Sequence, residues 1–210
     1  MRKAGVLDMT DARRISVRDS LIVMGLLCIL VAGEGFAEAG FAETGTADKN
    51  SALVQAEAML DAFYAWNAVA LAAAVEPTAE ADRLLYYQAW AKAAHYTITR
   101  RQPCIHVDDG AIECRITVTD DFGQALGYVA TDTFRLMPGS FRVASVTFAG
   151  NDPPIFEELF AWISQHRPEV MSGPCKDLFN GGKTPADCAR AVAASARLFM
   201  KSRGEEADSP

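Results

Sequence analysis

The chain has 210 residues, half of them hydrophobic, and a formal net charge of −7. That length suits one ordinary domain and is short for two large ones. The acidity sets the surface against phosphate backbones, and so against nucleic acid as a partner, without naming a positive one.

Residues 1–39 read as a secretory signal peptide. A polar stretch carries Arg2, Lys3, Arg13, Arg14 and Arg18, an apolar run follows over 21–32, and Ala37-Glu38-Ala39 gives an A-x-A cleavage pattern. Ala32 and Ala37 are other possible ends. The apolar run is shorter than the about 20 residues of a membrane span; the alternative is an uncleaved anchor. Arg13-Arg14 resembles a twin-arginine start but continues poorly in Ile15-Ser16-Val17. Cys28 follows Leu27, not the small residue that precedes a lipidated cysteine. Cleavage would remove five basic and five acidic residues, leaving the charge at −7. The mature protein is expected in the periplasm or outside the cell.

Residues 40–50 are small and polar and read as a linker. From Ser51, a plausible N-cap, Leu53, Ala56, Leu60, Phe63, Asn67 and Ala70 fall at helical spacing up to Pro77. Thr78 caps a second predicted helix to about residue 94, with Leu84, Tyr87, Ala91 and Ala94 inward. The period then changes to two. Strands are expected over 96–107, with Pro103 marking an edge or bulge, and over 111–120, 124–136 and 141–148. Turns at Asp108-Asp109-Gly110, Phe122-Gly123 and Pro138-Gly139 join them into an antiparallel meander. Asp152 is a candidate cap for a helix with the stripe Ile155, Phe156, Leu159, Phe160 and Ile163. After a loop over 172–183, Thr184-Pro185-Ala186-Asp187 resembles a capping box for a last helix to about residue 202. Residues 203–210 read as disordered.

Four cysteines remain after processing, and an even count in an exported chain points to disulfides. If Asp108-Asp109-Gly110 closes a hairpin with Val107 facing Ala111, Cys104 lies opposite Cys114, within bridging range. Cys175 and Cys188 are then left to pin the final helix to its loop. The spacing fits no usual zinc pattern, and no metal or cofactor is expected.

Two N-terminal helices followed by an antiparallel meander resemble the nuclear transport factor 2-like superfamily, which includes SnoaL-like proteins. The resemblance covers residues 51–162 and rests on Phe63-Tyr64-Ala65-Trp66-Asn67, on Ile116-Thr117-Val118-Thr119-Asp120, and on the hairpin from Thr133-Phe134-Arg135-Leu136 through Gly139 to Phe141. It implies an α+β fold over 51–165, with two N-terminal helices packed on a curved antiparallel sheet that forms a cone with a pocket at its mouth. C-terminal helices over 166–202 form a disulfide-pinned extension beyond that core. The chain has Asn67-Ala68 where many SnoaL-like members carry Gly-Asp. The superfamily holds isomerases, dehydratases, epoxide hydrolases, cyclases and many non-enzymes, so the fold alone names no reaction. Its members often pair through the outer sheet face, which implies a possible homodimer.

By the first hairpin's register, Tyr96 and Ile98 share a face with Ile116, Val118 and Asp120. A carboxylate at the edge of an apolar face gains a raised pKa and can act as acid or base; the bland alternative for Asp120 is an exposed turn residue. His95, at the helix-to-strand junction, is either a proton donor or a residue favouring the helix dipole. Tyr64, Trp90 and Tyr96 either line a pocket for an apolar small molecule or simply pack the core. Glu113, Arg115 and Asp132 are expected to pair on the solvated face, and Arg135 to face Arg142. His106 and His166 complete no triad. The leading reading is an exported module that binds a small apolar ligand or a partner segment. The alternative is an enzyme of the isomerase, dehydratase or cyclase kind, using Asp120 or His95 for acid-base chemistry.

Overall fold

The computed structural model describes residues 44–207. The expected signal peptide, with its cleavage pattern, and Cys28 lie outside the described residues. The rest forms a mixed α+β unit with one open antiparallel sheet of five strands.

Helix α1 spans Thr44–Tyr64. Residues 44–50, read from composition as linker, are already helical, and Ser51 lies inside the helix instead of capping it. Met59, Leu60 and Phe63 are fully buried. The first helical pattern is two helices, because Asn67 ends one and starts the next. Its side chain accepts from the Ala70 amide at 3.0 Å and caps α2, Ala68–Ala74. An asparagine that bonds the backbone locally competes with the helix ladder, and Trp66 before it takes a left-handed φ of 59°. Thr78 caps α3, Ala79–Ala93, as expected, and Leu84, Tyr87, Ala91 and Ala94 are buried. Gln88, also buried, donates from Nε2 to the carbonyls of Ala62 and Phe63 at 3.0 and 2.9 Å. These carbonyls lie at the end of α1, where intrahelical partners run out.

The sheet runs β1 (Thr97–Arg101), β3 (Ile112–Thr119), β4 (Ala130–Pro138), β5 (Val143–Gly150), with β2 (Ile105–His106) also on β3. Pro103 splits the first predicted strand into β1 and β2. Near the hairpin the predicted register holds: Ile105 opposes Glu113 and His106 opposes Ile112. Cys104 and Cys114 are bridged with their Cα atoms 4.3 Å apart. Further along the pairing slips by one residue between Ile105 and Arg101 and by one more at a bulge between Ile98 and Arg100, so Ile98 opposes Val118 instead of Asp120 and is exposed.

The predicted third strand is not one element. Residues 121–126 form a short helix, α4 (Asp121–Leu126), ended by Gly127 at φ 78°. This insertion resets the side-chain parity before β4. Ala130, Asp132, Phe134 and Leu136 therefore face the same side as Ile112, Cys114, Ile116 and Val118. Asp132 belongs to the buried face, and only Glu113 and Arg115 pair on the solvated side, at 2.7 Å. Four residues separate Pro138 from its partner region, so Pro138 opposes Val143 and Arg135 opposes Thr147. Arg135 binds Asp109, not a neighbouring arginine.

Helices α5 (Pro154–His166), α6 (Pro168–Ser172) and α7 (Pro185–Ala207) follow. Pro153, not Asp152, precedes α5 at its cap. The Thr184 hydroxyl donates to the Pro174 carbonyl at 2.8 Å, tying the loop before α7 to its own base. Residues 203–207, read as disordered, continue α7. Cys175 and Cys188 are bridged across that loop, Cα atoms 4.6 Å apart. Helix α7 packs on α3, α4 and α5. Among the described residues no helix is long and apolar enough to cross a membrane.

Candidate functional site

Helix α1, helix α3 and the inner sheet face meet in a cluster of aromatic rings. Phe63 lies edge-on to Phe134 at 5.4 Å, and Tyr87 stacks on Phe148 at 4.6 Å with an interplanar angle of 7°. Trp90 sits 6.0 Å from Tyr96 and 5.0 Å from Phe122. Apolar spacing on α1 and α3 and alternation on β4 and β5 aim these rings at one another.

Two carboxyl groups are embedded in this cluster. Asp132 is 3% exposed and Asp120 is 5% exposed. The Tyr64 hydroxyl donates to Asp132 Oδ2 at 3.0 Å. Asp120 caps α4, its Oδ1 accepting from the Gly123 amide at 2.6 Å. Burial pushes Asp132 up to about 6, against the lowering effect of hydroxyls from Tyr87 and Tyr64. Burial pushes Asp120 up to about 7, against the Gly123 amide and the Tyr96 hydroxyl; the charge of Asp152 raises both. The Tyr87 and Tyr96 hydroxyls lie 3.5 Å apart, at the limit of a hydrogen bond. Tyr87 and Tyr96 thus link the surroundings of Asp132 to those of Asp120. Burial holds both tyrosines well above their ordinary pKa, so they stay donors and the carboxyls titrate. Neither carboxyl pairs with a cation among the described residues' ion pairs.

Between the cluster and a surface cleft lies Phe179. Phe179, in the loop spanned by the Cys175–Cys188 bridge, touches Tyr86, Tyr87 and Trp90 at ring distances of 5.3, 5.8 and 5.8 Å. Its own backbone is left-handed, φ 56°, as is that of Asp177 at 54°. On the outer side of Phe179 lies a cleft of about 420 Å³, lined also by Asp82, Arg83, Tyr86, Asn180 and Gly182. The hydroxyl of Tyr86 and the indole N–H of Trp90 are buried without a hydrogen-bond partner.

The structure thus brings Tyr64, Trp90, Tyr96 and Asp120 into one cluster. His95 turns outward. Its side chain is 75% exposed and its Nδ1 lies 2.8 Å from Asp121, the neighbour of the buried carboxylate. Sequence reasoning missed Asp132, Tyr87 as a polar member, and Phe179. Asp132 was findable from Phe134 and Leu136, which fix the inward face of β4 without reference to the strand before it. Among the described residues no group of three histidine, cysteine or acidic side chains is placed to hold a metal ion. No protein-family model, curated protein or solved structure matches the chain.

Proposed function

We propose that this is an exported module that binds a small, largely apolar molecule, entering by the cleft and displacing Phe179 to reach the aromatic cluster. The carrying observation is the pair of buried carboxyl groups, Asp120 and Asp132, set among aromatic rings and in none of the ion pairs of the described residues. A core that only had to pack would gain by replacing them with apolar side chains, because burying a carboxyl costs several kcal/mol unless it is compensated. Polar groups converging in an apolar site are what fix a ligand's orientation. Helices α1 to α3 preceding an antiparallel sheet support the resemblance to the nuclear transport factor 2-like superfamily, whose cone would place its mouth at this cluster. The two disulfides are those of an oxidising compartment and support export.

The test uses N-phenyl-1-naphthylamine, an uncharged fluorescent aromatic, titrated into the folded protein and into Phe179→Ala. Saturable fluorescence enhancement, stronger in the variant, is expected. Its absence from both proteins defeats the reading. A second reading, an isomerase, dehydratase or cyclase, is favoured by one observation: Asp120 is held near 7 beside a tyrosine donor, the range of a general acid or base at neutral pH. It requires Asp120→Asn to abolish turnover while sparing binding.

A further inference from the structure

We infer that the molecule bound in this cluster is an organic cation, an amine on an apolar body; this rests on the binding reading above. The site has the components of a cation receptor. Two carboxyl groups, 3% and 5% exposed, lack any basic partner among the described residues' ion pairs. The rings of Tyr64, Tyr87, Trp90 and Tyr96 surround them, and an aromatic face attracts an ammonium group by about 0.5–2 kcal/mol where water is excluded. An anionic ligand would instead meet both carboxylates in a dry site. The cleft that leads to it is lined by both Asp82 and Arg83, so the cation preference is set inside, at the carboxyl groups.

Displacing the plug is feasible in this geometry. Phe179 is held in a left-handed conformation that a non-glycine residue adopts at a cost of about 1 kcal/mol or more. Turning the ring outward about its side-chain torsions moves it into the cleft it already lines. The bridge between Cys175 and Cys188 keeps the loop attached while the ring moves. The buried Tyr86 hydroxyl and Trp90 N–H, now without partners, are further polar contacts for the body of a ligand.

The experiment compares 2-phenylethylamine with 2-phenylethanol at pH 7.5, where the first is a cation and the second its uncharged counterpart. Binding is measured by calorimetry to the full, disulfide-intact protein and to Phe179→Ala. The expected result is a preference of about tenfold or more for the amine, of the size set by one ion pair. Asp132→Asn and Asp120→Asn should reduce that preference while leaving 2-phenylethanol binding within about twofold. If an asparagine variant does not fold, the amine-to-alcohol ratio on the unsubstituted protein decides alone. Equal binding of the two overturns the cation inference and leaves the binding module standing. Failure of both probes and of the naphthylamine, in the unsubstituted protein and in Phe179→Ala, defeats both.

Discussion

The Tyr64 hydroxyl donates to Asp132 Oδ2 at 3.0 Å, joining the last residue of α1 to the middle of β4 across 68 positions of chain. This bond holds the carboxyl against helix α1 and gives the inner sheet face its polar centre. Burial and the Asp132 carboxylate both raise the Tyr64 pKa far above its ordinary value, so the hydroxyl remains a donor throughout the pH range of the folded protein.

Tyr64→Phe removes that donor and keeps the ring. An acceptor left unsatisfied in the interior costs about 1–3 kcal/mol. The loss is predicted to be larger at pH 8 than at pH 5, because a protonated Asp132 can donate elsewhere whereas a carboxylate cannot. Urea unfolding at the two pH values checks this; equal losses would show that Tyr64 contributes only packing.

The raised carboxyls also set the pH dependence of the whole domain. Asp120 and Asp132 hold their protons up to about 7 and about 6 when folded, whereas an unfolded aspartate releases its proton near 4. Between those limits the folded state binds more protons than the unfolded one, so stability falls as pH rises. The groups facing the pair are Tyr64, Tyr87, Tyr96 and Asp152, and none of them supplies a positive charge. The contribution is fully present below pH 4 and gone above about 7. Asp120→Asn keeps an oxygen for the Gly123 amide and cannot ionise. It should therefore flatten the decline between pH 4 and 7 and stabilise the protein at pH 8 by about 1 kcal/mol or more. Thermal melts of the two proteins across that range are the measurement, and a variant less stable than the parent at pH 8 contradicts the argument.

Much of this was legible in the chain. The helical stripes of α1 and α3 name Leu60, Phe63, Leu84 and Tyr87 as core, and all are buried. The hairpin count places Cys104 opposite Cys114, and the two are bridged. What escaped has one physical origin, local backbone chemistry that breaks a period. Asn67 bonds to the Ala70 amide and divides one helix into two. Asp120 bonds to the Gly123 amide and starts a helix where alternation continued a strand. That second event moved Asp132 from the solvated face to the centre of the cluster. Phe179 gave little signal, because only tertiary packing under the Cys175–Cys188 bridge orders the left-handed loop around it.

The bridge and the plug are predicted to be coupled. Cys175→Ser/Cys188→Ser should destabilise the domain by about 3 kcal/mol on chain-entropy grounds. It should also free the loop, so that Trp90 loses its contact with Phe179 and gains access to solvent. Acrylamide quenching of tryptophan fluorescence, with Trp66 and Trp162 replaced by phenylalanine, isolates Trp90. Increased quenching without loss of the far-ultraviolet circular dichroism signal is expected; unchanged quenching would mean that the loop holds its place without the bridge.

Gly139 offers a test of the sheet itself. A Cβ there would stand 2.5 Å from the Arg142 carbonyl oxygen, a distance real side chains do not reach. The Gly139 amide donates to that same carbonyl at 2.9 Å, closing the loop between β4 and β5. Its carbonyl in turn accepts from Gln55 Nε2 at 3.3 Å, which fastens α1 to the loop. Moving the backbone to admit a methyl group would disturb both bonds, so Gly139→Ala should cost about 2 kcal/mol or more. Gly127→Ala makes the useful contrast. A Cβ at Gly127 meets nothing within 4 Å, but its φ of 78° is left-handed, so only conformational strain of about 1 kcal/mol opposes it. Chemical denaturation of the two variants should therefore rank Gly139→Ala as the more damaging. Amide exchange should open the β4–β5 pairing in that variant first. The reverse order would show that the loop between β4 and β5 relaxes freely and that its register is set elsewhere along the strands.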